Sequence, residues 1–129
     1  MIAFRLSSTS GLSTYLQIAQ QVRQALRLGT LQPGDQLPTV KEVVGALAIN
    51  PNTVLKAYRV LEAEGLIQGR PGQGTFVIRS LQGTPTPKLA ALRRGLESWV
   101  REALDSGLDP DALDAMLDAA LRAAQEDVA

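Results

Sequence analysis

Two short helical segments, each with its own start and stop signals, stand only three residues apart (Ala48-Ile49-Asn50), and this constrains the chain more than any other feature. The first opens at Thr39-Val-Lys-Glu42, a capping box in which the two side chains satisfy each other's backbone N–H groups. Its apolar residues are Val40, Val43, Val44 and Leu47. Asn50 caps the second helix, and Pro51 stands at the first helical position, where its missing N–H costs nothing. Val54, Ala57, Tyr58 and Leu61 share one face of that helix, and Gly65 stops it.

A longer helix precedes this pair. Thr14-Tyr-Leu-Gln17 reads as another capping box, followed by Tyr15, Ile18, Ala19, Val22, Ala25 and Leu26 at helical spacing, and Gly29 ends the run. Two short helices joined by a tight turn and packed on a third form a helix-turn-helix inside a three-helix unit. Residues 2–6 read as a short extended arm, and Thr30–Asp35 as a turn centred on Pro33-Gly34. After Gly65, two β-prone runs, Leu66–Gln68 and Thr75–Arg79, flank the turn Arg70-Pro-Gly-Gln-Gly74. Such a hairpin is marginal alone and must lean on the helices.

Gly83-Thr-Pro-Thr-Pro87 is a boundary that no helix crosses easily. Two amphipathic helices follow. Leu89, Leu92, Leu96, Trp99, Val100, Ala103 and Leu104 stripe the first; Leu113, Met116, Leu117, Ala120, Leu121 and Ala124 stripe the second, which starts at Asp109-Pro110. The short link makes them an antiparallel pair. About 40 residues cannot bury two such stripes alone. The stripes must cover the N-terminal domain or the same pair in a second chain, and two-fold dimers are the commoner solution. The expected fold is mainly α with a small β-hairpin: a winged helix-turn-helix domain over residues 1–80, a linker over 81–87 and a two-helix dimerisation region over 88–129. Leu92, Leu96, Trp99, Leu113, Met116, Leu117 and Leu121 are the expected dimer contacts.

Composition narrows the chemistry. The chain has neither Cys nor His, which removes thiol chemistry, disulfides, His-based proton transfer and Cys/His zinc sites. Asp109, Asp111, Asp114 and Asp118 read as a cap and a solvated face, not as metal ligands. No enzyme activity, cofactor or metal is expected. No apolar run is long enough to span a membrane, the N-terminus lacks signal-peptide features, and the cytoplasm is the expected compartment. The net charge is zero but unevenly spread. Residues 1–79 hold eight Lys/Arg and four acids, net +4; residues 80–129 hold five and nine, net −4. That asymmetry points to an anionic partner for the first half.

The candidate contacts lie in that basic half. Asn52, Lys56 and Arg59 fall opposite the buried face of the second short helix. Asn and Arg side chains can pair bidentately with adenine and guanine edges, and Lys binds phosphate or guanine. In a helix-turn-helix the start of the second helix meets the bases, which places Asn50, Asn52 and Thr53 nearest the groove. The bland alternative is a solvated face with an Arg59–Glu62 ion pair. Lys41, on the first turn of the preceding helix, is placed for a phosphate. Arg70 and the glycines of the hairpin tip suit a wing touching the DNA backbone or minor groove, and Gly72 and Gly74 also suit a turn that needs positive φ.

Taken together, Tyr15-Leu-Gln-Ile18, Gly29-Thr-Leu-Gln-Pro-Gly-Asp-Gln-Leu-Pro38, Asn50-Pro-Asn-Thr-Val54, Ala57-Tyr58, Leu61–Ile67 and Gly72-Gln-Gly-Thr-Phe-Val77 resemble the GntR family of bacterial transcription regulators. The two-helix tail is similar to the YtrA-like subfamily. The resemblance implies a winged helix-turn-helix homodimer that binds a palindromic operator, usually as a repressor. It places DNA contacts at Thr39, Lys41, Asn50, Asn52, Thr53, Lys56, Arg70, Gln73 and Gly74; Arg59 joins them on its helix position alone. The family often carries Arg where Lys41 stands, so the bidentate fork is missing there. The expected partners are double-stranded operator DNA and a second copy of the chain, with a small-molecule effector of unspecified identity as a third candidate and no membrane. The rival reading is a winged-helix protein–protein adaptor without DNA contact, whose binding would depend weakly on salt.

Overall fold

The computed structural model describes residues 2–83 and 86–128; Met1, Ala129 and two residues of the expected linker, Thr84 and Pro85, lie outside the described residues. The chain forms two compact units that divide between residues 83 and 84.

The first unit contains α1 (Thr14–Leu28), α2 (Val40–Leu47), α3 (Pro51–Ala63), β1 (Ile67–Arg70) and β2 (Gly74–Val77). Ile18, Val22 and Leu26 from α1, Val43 from α2 and Val54, Ala57, Tyr58 and Leu61 from α3 close one core, with Leu37, Leu66, Ile67 and Val77 sealing it beside the hairpin. Each large aliphatic side chain fully buried there contributes about 1.5–3 kcal/mol.

The caps of α2 and α3 form as the residue types dictate. Thr39 and Glu42 make the reciprocal box, and Asn50 Oδ1 accepts from Asn52 N–H at 2.8 Å. The start of α1 differs from its sequence reading. Ser13, not Thr14, is the N-cap residue, and no side chain caps it. Gln17 instead turns its amide onto the arm, accepting from Ser7 N–H (2.8 Å) and donating to Ser7 O (3.1 Å) and Leu12 O (2.9 Å). One turn later Gln21 does the same to Arg5, accepting from its N–H (2.9 Å) and donating to its carbonyl (2.6 Å). Residues 2–12 belong to no helix or strand, and their backbone groups outcompete a local cap for the glutamine amides. Phe4 is buried in the core beside them.

The hairpin pairs Ile67 with Val77, Gln68 with Phe76, Gly69 with Thr75 and Arg70 with Gly74. Both strands lie within a residue or two of their expected bounds. A third segment completes the wing: Gly34 N–H donates to Val77 O (2.8 Å), Val77 N–H to Asp35 O (2.8 Å) and Leu37 N–H to Thr75 O (2.9 Å). The far edge of β2 is therefore paired along residues 34–37, which removes the weakness of an isolated two-stranded ribbon.

The second unit is α4 (Pro87–Asp105) followed by α5 (Pro110–Val128). Thr86 caps α4 by accepting from Leu89 N–H (3.1 Å), and Asp109 caps α5 by accepting from Ala112 N–H (2.8 Å). Among the described residues of this unit only Ala103 and Leu113 are buried. Leu92, Leu96, Trp99, Met116, Leu117 and Leu121 are exposed. Leu113 is already buried within the single chain. No helix among the described residues is long and apolar enough to cross a membrane.

Candidate nucleic-acid interface

The first turn of α2 is fixed in place from below. Tyr58, on the buried face of α3, donates its hydroxyl to Pro38 O at 2.6 Å, one residue before the N-cap of α2. Burial, reinforced by the nearby Glu42 carboxylate, raises the Tyr58 phenol well above its ordinary range, so it stays a donor. Thr39 Oγ1 accepts from Glu42 N–H at 3.1 Å, which leaves its hydroxyl hydrogen for an outside acceptor such as a phosphate. Lys41 is exposed one turn into the same helix end.

The two asparagines at the start of α3 separate by role. The Asn50 carbonyl oxygen is held in the cap, so its amide is committed to the helix. Asn52 is exposed, and neither atom of its amide is engaged among the described residues. Of the two asparagines, only Asn52 keeps both a side-chain donor and a side-chain acceptor unengaged among the described residues, the pair that a bidentate adenine contact needs. Thr53 is half-buried.

Arg59 is exposed and has no ion-pair partner among the described residues. The Arg59–Glu62 pair of the bland alternative does not form, because Glu62 accepts from Gly69 N–H at 3.2 Å and ties α3 to β1. Lys56 is positioned differently from a freely extended lysine. Its ammonium stands 4.2 Å from the centroid of the Tyr15 ring on α1, a cation–π contact.

On the wing, Gln73 N–H donates to Arg70 O at 2.9 Å and closes a turn around Pro71-Gly72. Gly72 has φ +74° and Gly74 has φ +127°, conformations that L side chains resist. The Arg70 guanidinium lies 4.7 Å from the Phe76 ring centroid, directed across the hairpin diagonal. Thr39 and residues 69–75 together line one open concavity of about 650 Å³. The structure thus brings the start of α2 and the wing tip to a shared cleft, while Asn52 and Arg59 lie on the exposed face of α3.

Sequence reasoning missed Tyr15 as the seat of Lys56, Phe76 as the seat of Arg70, and Gln36, whose Nε2 donates to Gln73 O at 3.3 Å. The Arg70–Phe76 diagonal follows from the hairpin register, so the size of the turn would have revealed it. Gln36 carried no signal, since nothing in its neighbours marks residues 34–37 as a segment that pairs with β2. Among the described residues no group of acids is arranged to hold a metal ion.

A three-helix unit with a tight turn between its last two helices and a β-hairpin after them is a winged helix-turn-helix. Residues 14–77 match the family described as "Bacterial regulatory proteins, gntR family". The chain is 35% identical over 100 residues to the HTH-type transcriptional repressor YtrA of Bacillus subtilis (strain 168), covering 77% of each protein. Its structure is similar to that of YtrA from Sulfolobus acidocaldarius, a GntR-family transcription factor, with 28% identity, a TM-score of 0.54 and coverage of 92% of this chain and 97% of that one. It is also similar to the DNA-binding domain of AraR solved in complex with operator ORR3, with 28% identity, a TM-score of 0.50 and coverage of 59% of this chain and 92% of that one. The chain belongs to the GntR family of bacterial transcription regulators, and its relatives of the YtrA type share its pattern of a winged domain followed by a helical pair.

Proposed function

We propose that this chain is a cytoplasmic, sequence-specific DNA-binding repressor that acts as a homodimer on a palindromic operator, by binding and not by catalysis. The observation that carries the reading is the outer face of the helix-turn-helix: among the described residues the side chains of Asn52 and Arg59 are exposed without an intramolecular partner, and Lys41 on α2 is exposed as well. Asn52 reads a base edge, with Arg59 beside it on the same helix. Thr39, Lys41, Arg70, Gln73 and the Gly74 backbone hold phosphates and fix the register. Asn50, Thr53 and Lys56 frame the helix end, with Lys56 swinging off the Tyr15 ring when a phosphate competes for it. That AraR's domain was solved on an operator supports the assignment for this related fold.

The dimer reading rests on the exposed stripe of the second unit. Leu92 is 61% exposed, Leu96 48% and Leu121 59%, more than a helical pair in water sustains without a partner. An open groove of about 410 Å³ on α4, lined by Leu96, Glu97, Val100, Arg101 and Leu104, suits a helix of a second copy. Such a dimer presents two winged domains to half-sites one helical turn, or a multiple of it, apart.

The test is a salt series of binding to a duplex that the wild-type chain enriches from a randomised pool, against a scrambled duplex. A preference of about a thousandfold with a steep salt slope is expected. Lys41→Ala weakens binding to all sequences alike and flattens the slope, whereas Asn52→Ala relaxes preference at one base pair. A shallow slope with no sequence preference would favour the protein–protein adaptor instead.

A further inference from the structure

We propose that Gln36 is a positioning residue for DNA recognition: it braces the wing tip against the segment that runs into α2, and so fixes the spacing between Arg70 and the Thr39–Lys41 helix end. The inference rests on the DNA-binding reading above. Gln36 sits on the segment that pairs with the outer edge of β2, bridged to Phe76. Its Nε2 donates to Gln73 O at 3.3 Å, inside the turn that carries Arg70. Gly74 is the matching half of the device. A Cβ there would come within 2.5 Å of Gln36 Nε2, so any larger residue would displace the amide from its acceptor.

The chain geometry gives the brace its consequence. Two residues after Gln36, Pro38 receives the Tyr58 hydroxyl, and Thr39 opens α2. One short segment therefore connects the wing tip, the buried phenol and the helix end. Across the hairpin, Phe76 seats the Arg70 guanidinium. Arg70 is held at its root by the Gln36–Gln73 contact and at its head by the Phe76 ring. Gln36 is exposed, and Gln73 O can be hydrated when the amide is gone, so its removal changes the aim of the wing without unfolding the domain.

The experiment compares Gln36→Ala, Gln36→Glu, Arg70→Ala and the Gln36→Ala/Arg70→Ala double variant of the full chain. Affinity is measured across a salt series on a selected duplex of roughly 30 bp, long enough for two half-sites. Gln36→Glu keeps the length of the side chain, loses the donor and adds a charge, so it loses at least as much affinity as Gln36→Ala. Each alanine single variant is expected to lose about fivefold in affinity and to lower the salt slope by about one contact. The double variant loses no more than Arg70→Ala alone, because the brace acts only through Arg70. The thermal midpoint of Gln36→Ala stays at the wild-type value. If Arg70→Ala lowers the slope and Gln36→Ala does not, the brace is overturned while the DNA-binding reading stands. If neither variant changes binding, the wing contact itself is wrong, and the brace falls with it. A Gln36→Ala midpoint several degrees low would make Gln36 a residue of fold stability, and losses that add in the double variant would mean that it acts independently of Arg70; either outcome overturns the inference.

Discussion

The two units use the same kind of amphipathic helix and reach opposite ends. In residues 2–83 the apolar faces of α1, α2 and α3 meet, and Ile18, Val22, Leu26, Val54 and Leu61 are fully buried. In residues 86–128 two helices of 19 residues each bury only Ala103 and Leu113 among the described residues. Three helices and a wing enclose a volume; two helices make a surface. The first unit closes a core of its own, and the second leaves most of its apolar stripe exposed.

The largest expected effect tests the self-sufficiency of the first unit. Leu61 lies at the centre of its core with no exposure. Leu61→Ala is expected to cost about 3 kcal/mol in denaturant unfolding, with the same value at every protein concentration. A loss below about 1 kcal/mol, or one that varied with concentration, would mean that the winged domain also depends on a partner.

The next effect belongs to the other unit. Leu96→Asp places a charge on the exposed stripe of α4 and is expected to weaken self-association by about 2 kcal/mol, roughly thirtyfold, in sedimentation equilibrium. The denaturant unfolding of the winged domain should not change. Unchanged association would remove Leu96 from the interface and break the comparison at its second half.

A smaller effect distinguishes the inside of the first unit by pH. The Tyr58 phenol is raised by burial first and by Glu42 second, while the unfolded chain titrates near the ordinary tyrosine value of about 10. Between those values the unfolded state releases a proton that the folded state keeps, so stability falls as pH rises. It is fully present below about pH 10 and declines above it by about 1.4 kcal/mol per pH unit until the folded phenol ionises. Tyr58→Phe should flatten that decline in alkaline unfolding titrations. It should also lower stability near neutral pH, by about 1–3 kcal/mol, because Pro38 O loses its donor. The exposed stripe of the second unit has no counterpart to this buried donor.

How much of this was legible follows the same division. The capping box at Thr39 and Glu42, the Asn50-Pro51 start and the hairpin were readable because local side chains settle them. The start of α1 was misread because Gln17 answers to Ser7 and Leu12, and local spacing does not reveal that competition. Gln36 was invisible for the same reason, since its role depends on strand pairing with β2. Lys56 and Arg70 were recognised as cations, but their seats on Tyr15 and Phe76 come from tertiary placement. On α4 and α5 the helical spacing of the apolar stripe was readable, and of the stripe residues Ala103 and Leu113 are buried within the single chain.

The smallest effect compares the two tight links between helices. The α4–α5 link has Gly107 at φ +97°, where glycine is at ease; the α2–α3 link has Ala48 at φ +53° and ψ +46°. A non-glycine residue in that left-handed region costs about 1–2 kcal/mol, while glycine loses about 0.5–1 kcal/mol more backbone entropy on folding. Ala48→Gly is therefore expected to stabilise the winged domain by about 0.5 kcal/mol, raising its thermal midpoint by about 2–4 °C. Ala48 is exposed, and its N–H donates to Val44 O at 2.9 Å, a bond that glycine keeps. Ala48→Val should lower the midpoint, since a β-branched side chain fits the left-handed region worst. Gly107→Ala should weaken self-association without moving that midpoint, because it strains the link of the second unit, on which the proposed dimer rests. If Ala48→Gly lowered the midpoint instead, the turn would not be strained, and the first unit would have no surplus stability holding Ala48 where a glycine belongs.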